Sequence, residues 1–193
     1  LDIFNNFMYP PSEILINTHY QADKIKQFFK NKKYQFKIKL SYEKKLKGSF
    51  GTVIHNKNWI KKFDKILLVY CDILFSHNLE ILITKFNSSN IHKAIILSDK
   101  RYDVKNCGQL KFDKNYKLKI FKEKPINKLS NYANSGLYLF KKEFLLNEIN
   151  HFKNDKKKLV LDIAEDFLPM LFEKAYVYVI KGKVIDIGSY NDN

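Results

Sequence analysis

Apolar positions along this chain switch repeatedly between the two-residue or continuous pattern of strands and the 3.6-residue pattern of helices. Glu13–Asn17 (Glu-Ile-Leu-Ile-Asn) reads as a short apolar strand. Ala22–Asn31 carries Ile25, Phe28 and Phe29 at helical spacing with lysines between, so an amphipathic helix is expected there. From Gln35 to Tyr42, Phe36, Ile38 and Leu40 alternate with Lys37, Lys39 and Ser41, the signature of a half-buried strand. Gly51–Lys62 reads as one helix and Ile66–Asp72 as a strand buried on both faces. Leu79–Phe86 is helical in pattern, and Ala94–Leu97 closes the first half as a strand.

The second half changes character. Cys107–Phe112, Leu118–Phe121 and Gly136–Phe140 are short strands separated by turn residues such as Asp113-Lys114-Asn115. Helices follow at Lys142–Glu148 and Asp162–Phe172, then strands at Ala175–Ile180 and Val184–Asp186. Asp162 is a plausible N-cap with Glu165 as the residue reaching back, and Pro169 should kink or end that helix early. Alternating elements followed by closely spaced strands predict an α/β fold, a mostly parallel sheet flanked by helices with a small antiparallel section appended.

At 193 residues the chain suffices for one sizeable core, and a single domain over residues 1–193 is expected. No apolar run is long enough to span a bilayer, which excludes a membrane-spanning helix. Cys71 and Cys107 have neither metal-ligand spacing nor histidine companions, and read as half-buried thiols of a reduced, cytoplasmic protein. A net charge of +15 invites a nucleic-acid reading. Arg101 is the single arginine, however, and lysines alternate with Ile, Phe, Tyr and Asn throughout, without a basic arm or an arginine-and-aromatic motif. A solvated lysine-rich exterior accounts for the charge, and no nucleic-acid partner is expected.

Two aspartates carry the candidate chemistry. Asp72 ends the apolar run Ile66-Leu67-Leu68-Val69-Tyr70-Cys71, and Asp186 ends Val184-Ile185. Taken singly, each could be a strand-ending turn or a helix cap. Open α/β sheets bind ligands beyond the carboxyl ends of their strands. Two carboxylates meeting there would form a hard oxygen site suited to Mg²⁺ and phosphates.

Six segments in order carry a resemblance. They are Glu43…Leu46-Lys47-Gly48-Ser49-Phe50-Gly51-Thr52, Tyr70-Cys71-Asp72, Cys107-Gly108-Gln109-Leu110, Glu123-Lys124-Pro125, Ala133-Asn134-Ser135-Gly136-Leu137-Tyr138, and Asp186-Ile187-Gly188-Ser189-Tyr190. Together they resemble the sugar-1-phosphate nucleotidyltransferases, from about Glu13 to Tyr190. Asn17-Thr18-His19-Tyr20 is similar to the bacterial mannose- and heptose-1-phosphate guanylyltransferase branch.

The resemblance implies a Rossmann-like mixed sheet binding a nucleoside triphosphate on one half and a sugar-1-phosphate on the other. It implies Asp72, Lys124 and Asp186 as catalytic residues, Asp72 and Asp186 as Mg²⁺ ligands, and Glu43, Gly48, Gly51 and Thr52 as nucleotide-binding. Gly108, Glu123, Lys124 and Asn134 are the implied sugar-phosphate residues. From the residues alone, Gly48 and Gly51 could instead flank a plain turn, Gly108 could mark a bulge, and Lys124 could be one more solvated lysine. His19 and Tyr20 could reach the site or be structural; the other histidines have no triad or metal spacing.

The sequence departs from the family pattern in three places. A Gly-rich loop with an arginine and a Pro-Lys pair is absent, so either a segment precedes Leu1, the expected case, or the loop is lacking. Phe50 occupies a position where a small residue is usual and could narrow or reshape the base pocket. Ile73 stands where the guanylyl branch carries a polar residue. The expected function is condensation of a triphosphate, GTP favoured, with a mannose- or heptose-type sugar-1-phosphate for surface polysaccharide synthesis. The alternative is a non-catalytic sugar-nucleotide-binding or regulatory module, and self-association is left open.

Overall fold

Strong alternation at Lys37–Tyr42 produces what the pattern demands, a strand with Lys37 and Lys39 exposed and Ile38 and Leu40 half-buried. The computed structural model describes all residues except 2, 3, 5, 6, 9, 76, 77, 89–91, 155, 156, 183 and 188–193. Its contacts divide the chain into two compact units, Leu1–Gly48 and Ser49–Asn193.

In the first unit, β1 (Glu13–Thr18) and β2 (Lys37–Tyr42) pair in parallel from Glu13↔Lys37 to Thr18↔Tyr42. Parallel strands need a crossover, which α1 (Ala22–Lys30) supplies. Ile25 and Phe29 of α1 are half-buried while its lysines face solvent.

The second unit is built on a six-stranded sheet. Its elements begin with α2 (Ser49–His55), α3 (Lys57–Ile60), β3 (Lys65–Val69), β4 (Ile73–Phe75), α4 (Leu79–Ser88) and β5 (Ala94–Lys100). There follow β6 (Gln109–Phe112), β7 (Leu118–Lys122), β8 (Tyr132–Lys141), α5 (Lys142–His151), β9 (Tyr176–Val179) and β10 (Val184–Asp186).

The long strand β8 is the spine. One edge pairs with β5 from Ala94↔Phe140 to Lys100↔Tyr132. The other pairs with β3 from Lys65↔Lys141 to Val69↔Leu137, and with the start of β6 at Gln109↔Ala133. The hairpin β6–β7 and the parallel pair β5–β9 complete the sheet.

The mixed α/β architecture is as expected, and β3, β5, β6 and β9 share one direction. A sheet paired mostly in parallel is corrected. Because β8 runs the opposite way between β3 and β5, every pairing in this sheet except β5–β9 is antiparallel.

Several expected elements are broken, each for a local reason. The helix expected over Gly51–Lys62 divides at Asn56, where the Thr52 carbonyl accepts from both the Asn56 N–H and its side-chain amide, each at 3.0 Å. The helix expected over Asp162–Phe172 is a π-turn at Ile163–Phe167 followed by a 3₁₀ turn at Leu168–Leu171. Pro169 has no N–H for an α-helical ladder there. Asp162 does cap this segment, accepting from the N–H groups of Ala164 and Glu165. Its own N–H is held by Asp166 at 2.8 Å, not by Glu165 as expected.

The core beneath the sheet is rich in aromatics. Phe50 is fully buried, stacks on Phe167 with ring centroids 4.4 Å apart, and meets the edge of Phe152. Its expected place in a base pocket is therefore corrected: the ring fills the core. Ile66 of β3 is buried while Leu67, Leu68 and Val69 are half-buried, so that strand is less enclosed than its apolar run suggested. Both cysteines are free, with Cys71 exposed rather than half-buried.

Candidate functional site

β8 makes room for a site by interrupting its own ladder. Ile96 pairs with Tyr138 but Ser98 pairs with Asn134, so extra residues bulge from β8 around Gly136. Gly136 has φ +66°, and a Cβ there would collide with Ile73 Cδ1 and approach Tyr70 Cδ2 to 3.0 Å. Glycine is required at this position by both conformation and space. At this bulge β3 ends, with the Tyr70 N–H donating to the Gly136 carbonyl at 3.0 Å.

Beyond Tyr70 the chain turns through Cys71 and the exposed Asp72 into β4, an element the periodicity did not reveal. β10 pairs antiparallel with β4, setting Asp186 opposite Ile73. Ile187 then donates its N–H to the Asp72 carbonyl at 2.8 Å. The backbones of the two aspartates, remote in sequence, are thus neighbours at the carboxyl end of β3. The rest of that motif, Gly188, Ser189 and Tyr190, lies outside the described residues.

A second cluster forms where β6, β7 and β8 begin or end. Gln109 faces Lys122 on one side and Ala133 on the other, so Gly108 falls between Glu123 and Asn134 one residue further along. Asn134 N–H donates to the Gly108 carbonyl at 2.8 Å. A Cβ on Gly108 would lie 2.5 Å from Glu123 Oε2 and 3.3 Å from Asn134 Cβ, which marks how closely these three residues converge. Burial raises the Glu123 carboxyl above its ordinary range; Lys124 opposes this, while Asp162 and Glu165 add to it. Lys124 is exposed and sits in the left-handed region at φ 39°.

Between the clusters lie two tyrosines that sequence reasoning did not single out. Tyr138 is fully buried, and its hydroxyl accepts from Asn134 Nδ2 at 2.7 Å. Tyr70 meets the Tyr138 ring edge-on, centroids 6.0 Å apart. Burial and the nearby Asp162 carboxylate push the Tyr70 hydroxyl up to about 12, and burial pushes Tyr138 well above its ordinary value. Both stay neutral at physiological pH. The available signal was their place, one in each of two motifs already marked out by Asp72 and Asn134.

The expected nucleotide residues are arranged differently. In the first unit, Glu43 is buried, its carboxylate accepts from the Lys47 N–H at 3.1 Å, and its carbonyl bonds the His19 ring at 2.6 Å. His19 is thereby a structural partner of Glu43. Gly48 adopts φ 80°. In the second unit, the Gly51 N–H donates to the Leu161 carbonyl at 3.1 Å. The start of α2 is further tied to the 161–163 segment, with Ser49 Oγ donating to Asp162 at 2.7 Å and accepting from the Ile163 N–H. Thr52 remains half-buried in α2.

Among the described residues no group of three or more His, Cys, Asp and Glu converges as a metal cage. Mg²⁺ needs none, since one or two carboxylates with substrate phosphates and waters satisfy it. The exposed carboxylate of Asp72 is a hard oxygen donor of the kind such an ion takes. Nor is any helix of the described residues long and apolar enough to cross a membrane.

The fold is mixed α/β, and the chain belongs to the nucleotidyl transferase family, whose model matches residues 5–192. A Sulfolobus acidocaldarius protein named "Putative mannose-1-phosphate guanyltransferase" is 30% identical over 182 residues, covering 93% of this chain and 47% of that protein. The chain therefore spans about half the length of the curated relative it matches.

Two solved structures share the fold. HddC from Yersinia pseudotuberculosis, crystallised in complex with GMP-PN, has a TM-score of 0.70 at 22% identity, over 93% of this chain and 74% of that one. A Bacillus anthracis structure described as a "Putative Glucose-1-Phosphate Thymidylyltransferase" in complex with a sucrose has a TM-score of 0.78 at 18% identity, over 93% and 72%.

Proposed function

We propose that this chain forms one nucleotidyltransferase domain, cytoplasmic, that condenses a nucleoside triphosphate with a sugar-1-phosphate to give a nucleoside-diphosphate sugar and pyrophosphate. GTP and a mannose- or heptose-type sugar are the favoured substrates, with the product destined for surface polysaccharide. The observation that carries this reading is the pairing of β4 with β10, which makes backbone neighbours of Asp72 and Asp186 within a family member. The name of the Sulfolobus relative supports the choice of guanylyl and mannosyl substrates.

Such chemistry asks for little covalent work and much positioning of two polyanions. A phosphate oxygen of the sugar-1-phosphate attacks the α-phosphorus, and pyrophosphate leaves. Asp72 and Asp186 would hold Mg²⁺, which when bound offsets the phosphate charge. Glu123 accepts from a sugar hydroxyl, Asn134 donates to the sugar phosphate, and the absence of a side chain at Gly108 lets these two residues close in on one another. Lys124 contributes a point charge to the phosphate. Glu43, Gly48 and Thr52 are the residues proposed for the nucleotide, while Gly51 contributes its small size rather than its N–H.

The test is pyrophosphate release by the complete gene product with Mg²⁺, across the common triphosphates and a panel of sugar-1-phosphates. Release with GTP and mannose- or heptose-1-phosphate is expected. No release with any pair would overturn the proposal.

A further inference from the structure

The hydrogen bonds around Asn134 use a hydroxyl that the proposed chemistry leaves without a role, that of Tyr138. Asn134 Nδ2 donates to Tyr138 at 2.7 Å, while the Gly136 N–H donates to Asn134 Oδ1 at 3.3 Å. These two bonds hold the amide from both ends. A backbone N–H can face only the oxygen end, so the nitrogen end is turned to Tyr138. A half-turn of the amide would set N–H against N–H at Gly136.

The Tyr138 hydroxyl accepts from Asn134, so its own proton must go elsewhere in a fully enclosed site. Tyr70 is the adjacent hydroxyl. It is closed off from solvent and meets no partner at full hydrogen-bond geometry among the described residues, although Ser49 and Tyr138 are the hydroxyls beside it. An enclosed polar group of this kind is costly unless it serves a network. Tyr70 also donates its N–H to the Gly136 carbonyl and packs its ring on Gly136, two residues before Asp72. The bulge of β8 and the end of β3 are therefore stitched together by the same pair of rings.

We infer that Tyr138 is a positioning residue: it holds one Asn134 N–H inside the fold so that the second is presented to the sugar-1-phosphate, and Tyr70 receives the Tyr138 proton. This rests on reading Gly108, Glu123 and Asn134 as the sugar-phosphate subsite. Phenylalanine at 138 keeps the ring in the core but leaves the Asn134 amide free to turn.

Two measurements test this in the complete gene product. In kinetics, Tyr138→Phe should raise the KM for the sugar-1-phosphate about tenfold, as loss of one aligned hydrogen bond would, while the triphosphate KM and kcat hold within about twofold. In Asn134→Ala the same Tyr138→Phe change should add nothing further, because Tyr138 acts only through that amide. Additive losses, or parallel rises in both KM values, would mean a general packing role and overturn the inference. Tyr70→Phe should raise the same KM by a smaller factor, which also covers the case in which Tyr138→Phe does not fold; no change in that variant overturns the part assigned to Tyr70.

Without any substrate, nuclear magnetic resonance of the ¹⁵N-labelled protein should show the hydrogen-bonded Asn134 side-chain proton shifted downfield. That shift should vanish in Tyr138→Phe. A spectrum indifferent to the substitution overturns the clamp itself. A clamp seen by resonance in a protein that turns over no sugar-1-phosphate would instead overturn the subsite reading, and with it the binding role of the pair.

Discussion

The backbone N–H of Ile187 donates to the carbonyl of Asp72 across 2.8 Å, and Asp186 stands opposite Ile73 in the adjoining strand pair. Asp72 and Asp186 therefore cannot separate without breaking the β4–β10 pairing. The spacing of their main chains is thereby fixed before any ligand arrives.

Under the proposed Mg²⁺-binding role, Asp72→Asn and Asp186→Asn should each lower kcat by about a thousandfold with Mg²⁺ present, since each would remove charge from a cation holding phosphates. Melting temperatures should change little for Asp72→Asn, whose side chain is exposed. Pyrophosphate release and thermal unfolding are the measurements. A wild-type rate in either variant would remove that residue from the site.

Gly136→Ala should destabilise the protein by about 2–5 kcal/mol, combining a strained left-handed residue with overpacking. The new methyl would strike Ile73 and crowd the Tyr70 ring. Urea unfolding measures the loss. Ile73→Ala in the same background should recover the part due to collision but not the part due to φ, so partial rescue is expected and full rescue is not.

Much of the fold was legible because its strands alternate cleanly and its helices carry apolar faces, as at Ile38 and Leu40 or Ile25 and Phe29. The convergence of Gly108, Glu123 and Asn134 was legible only through motifs, since it depends on strand register at β6–β7 and β6–β8 that no local pattern encodes. β4 was missed: three residues are too few to show a period, and the strand exists because β10 pairs with it. Asp166 rather than Glu165 is the partner of the Asp162 N–H, and the Asp166 N–H returns a bond to the Asp162 carbonyl at 2.9 Å, a reciprocal pairing that no local pattern encodes. The place of Phe50 was not legible because Phe167, far away in sequence, claims its ring.

Phe50→Ala should accordingly cost about 3–5 kcal/mol of stability, the range for emptying a buried aromatic site. It should leave the ratio of activities among triphosphates unchanged. Chemical denaturation and a competition assay with paired triphosphates check the two halves. A changed preference with little loss of stability would return Phe50 to the base pocket.

Glu123 gives the clearest dependence on pH. Burial raises its carboxyl above the ordinary glutamate value, with Lys124 pulling the other way. A carboxyl that holds its proton more tightly in the folded state favours folding in acid. That contribution fades as pH climbs from the ordinary value, 4.5, through the raised folded one. Binding has the opposite sign, because the carboxylate proposed as the acceptor for a sugar hydroxyl is lost as pH falls through the raised value. The kcat/KM for sugar-1-phosphate should therefore drop on the acid side earlier than an ordinary glutamate would impose. Glu123→Gln cannot titrate, so its kcat/KM should be lower at neutral pH, and the ratio of wild type to variant should decline with acidity. Titration of the substrate phosphate is common to both proteins and cancels in that ratio. A ratio constant with pH would show that the acid limb belongs to another group, and that Glu123 does not bind sugar as a carboxylate.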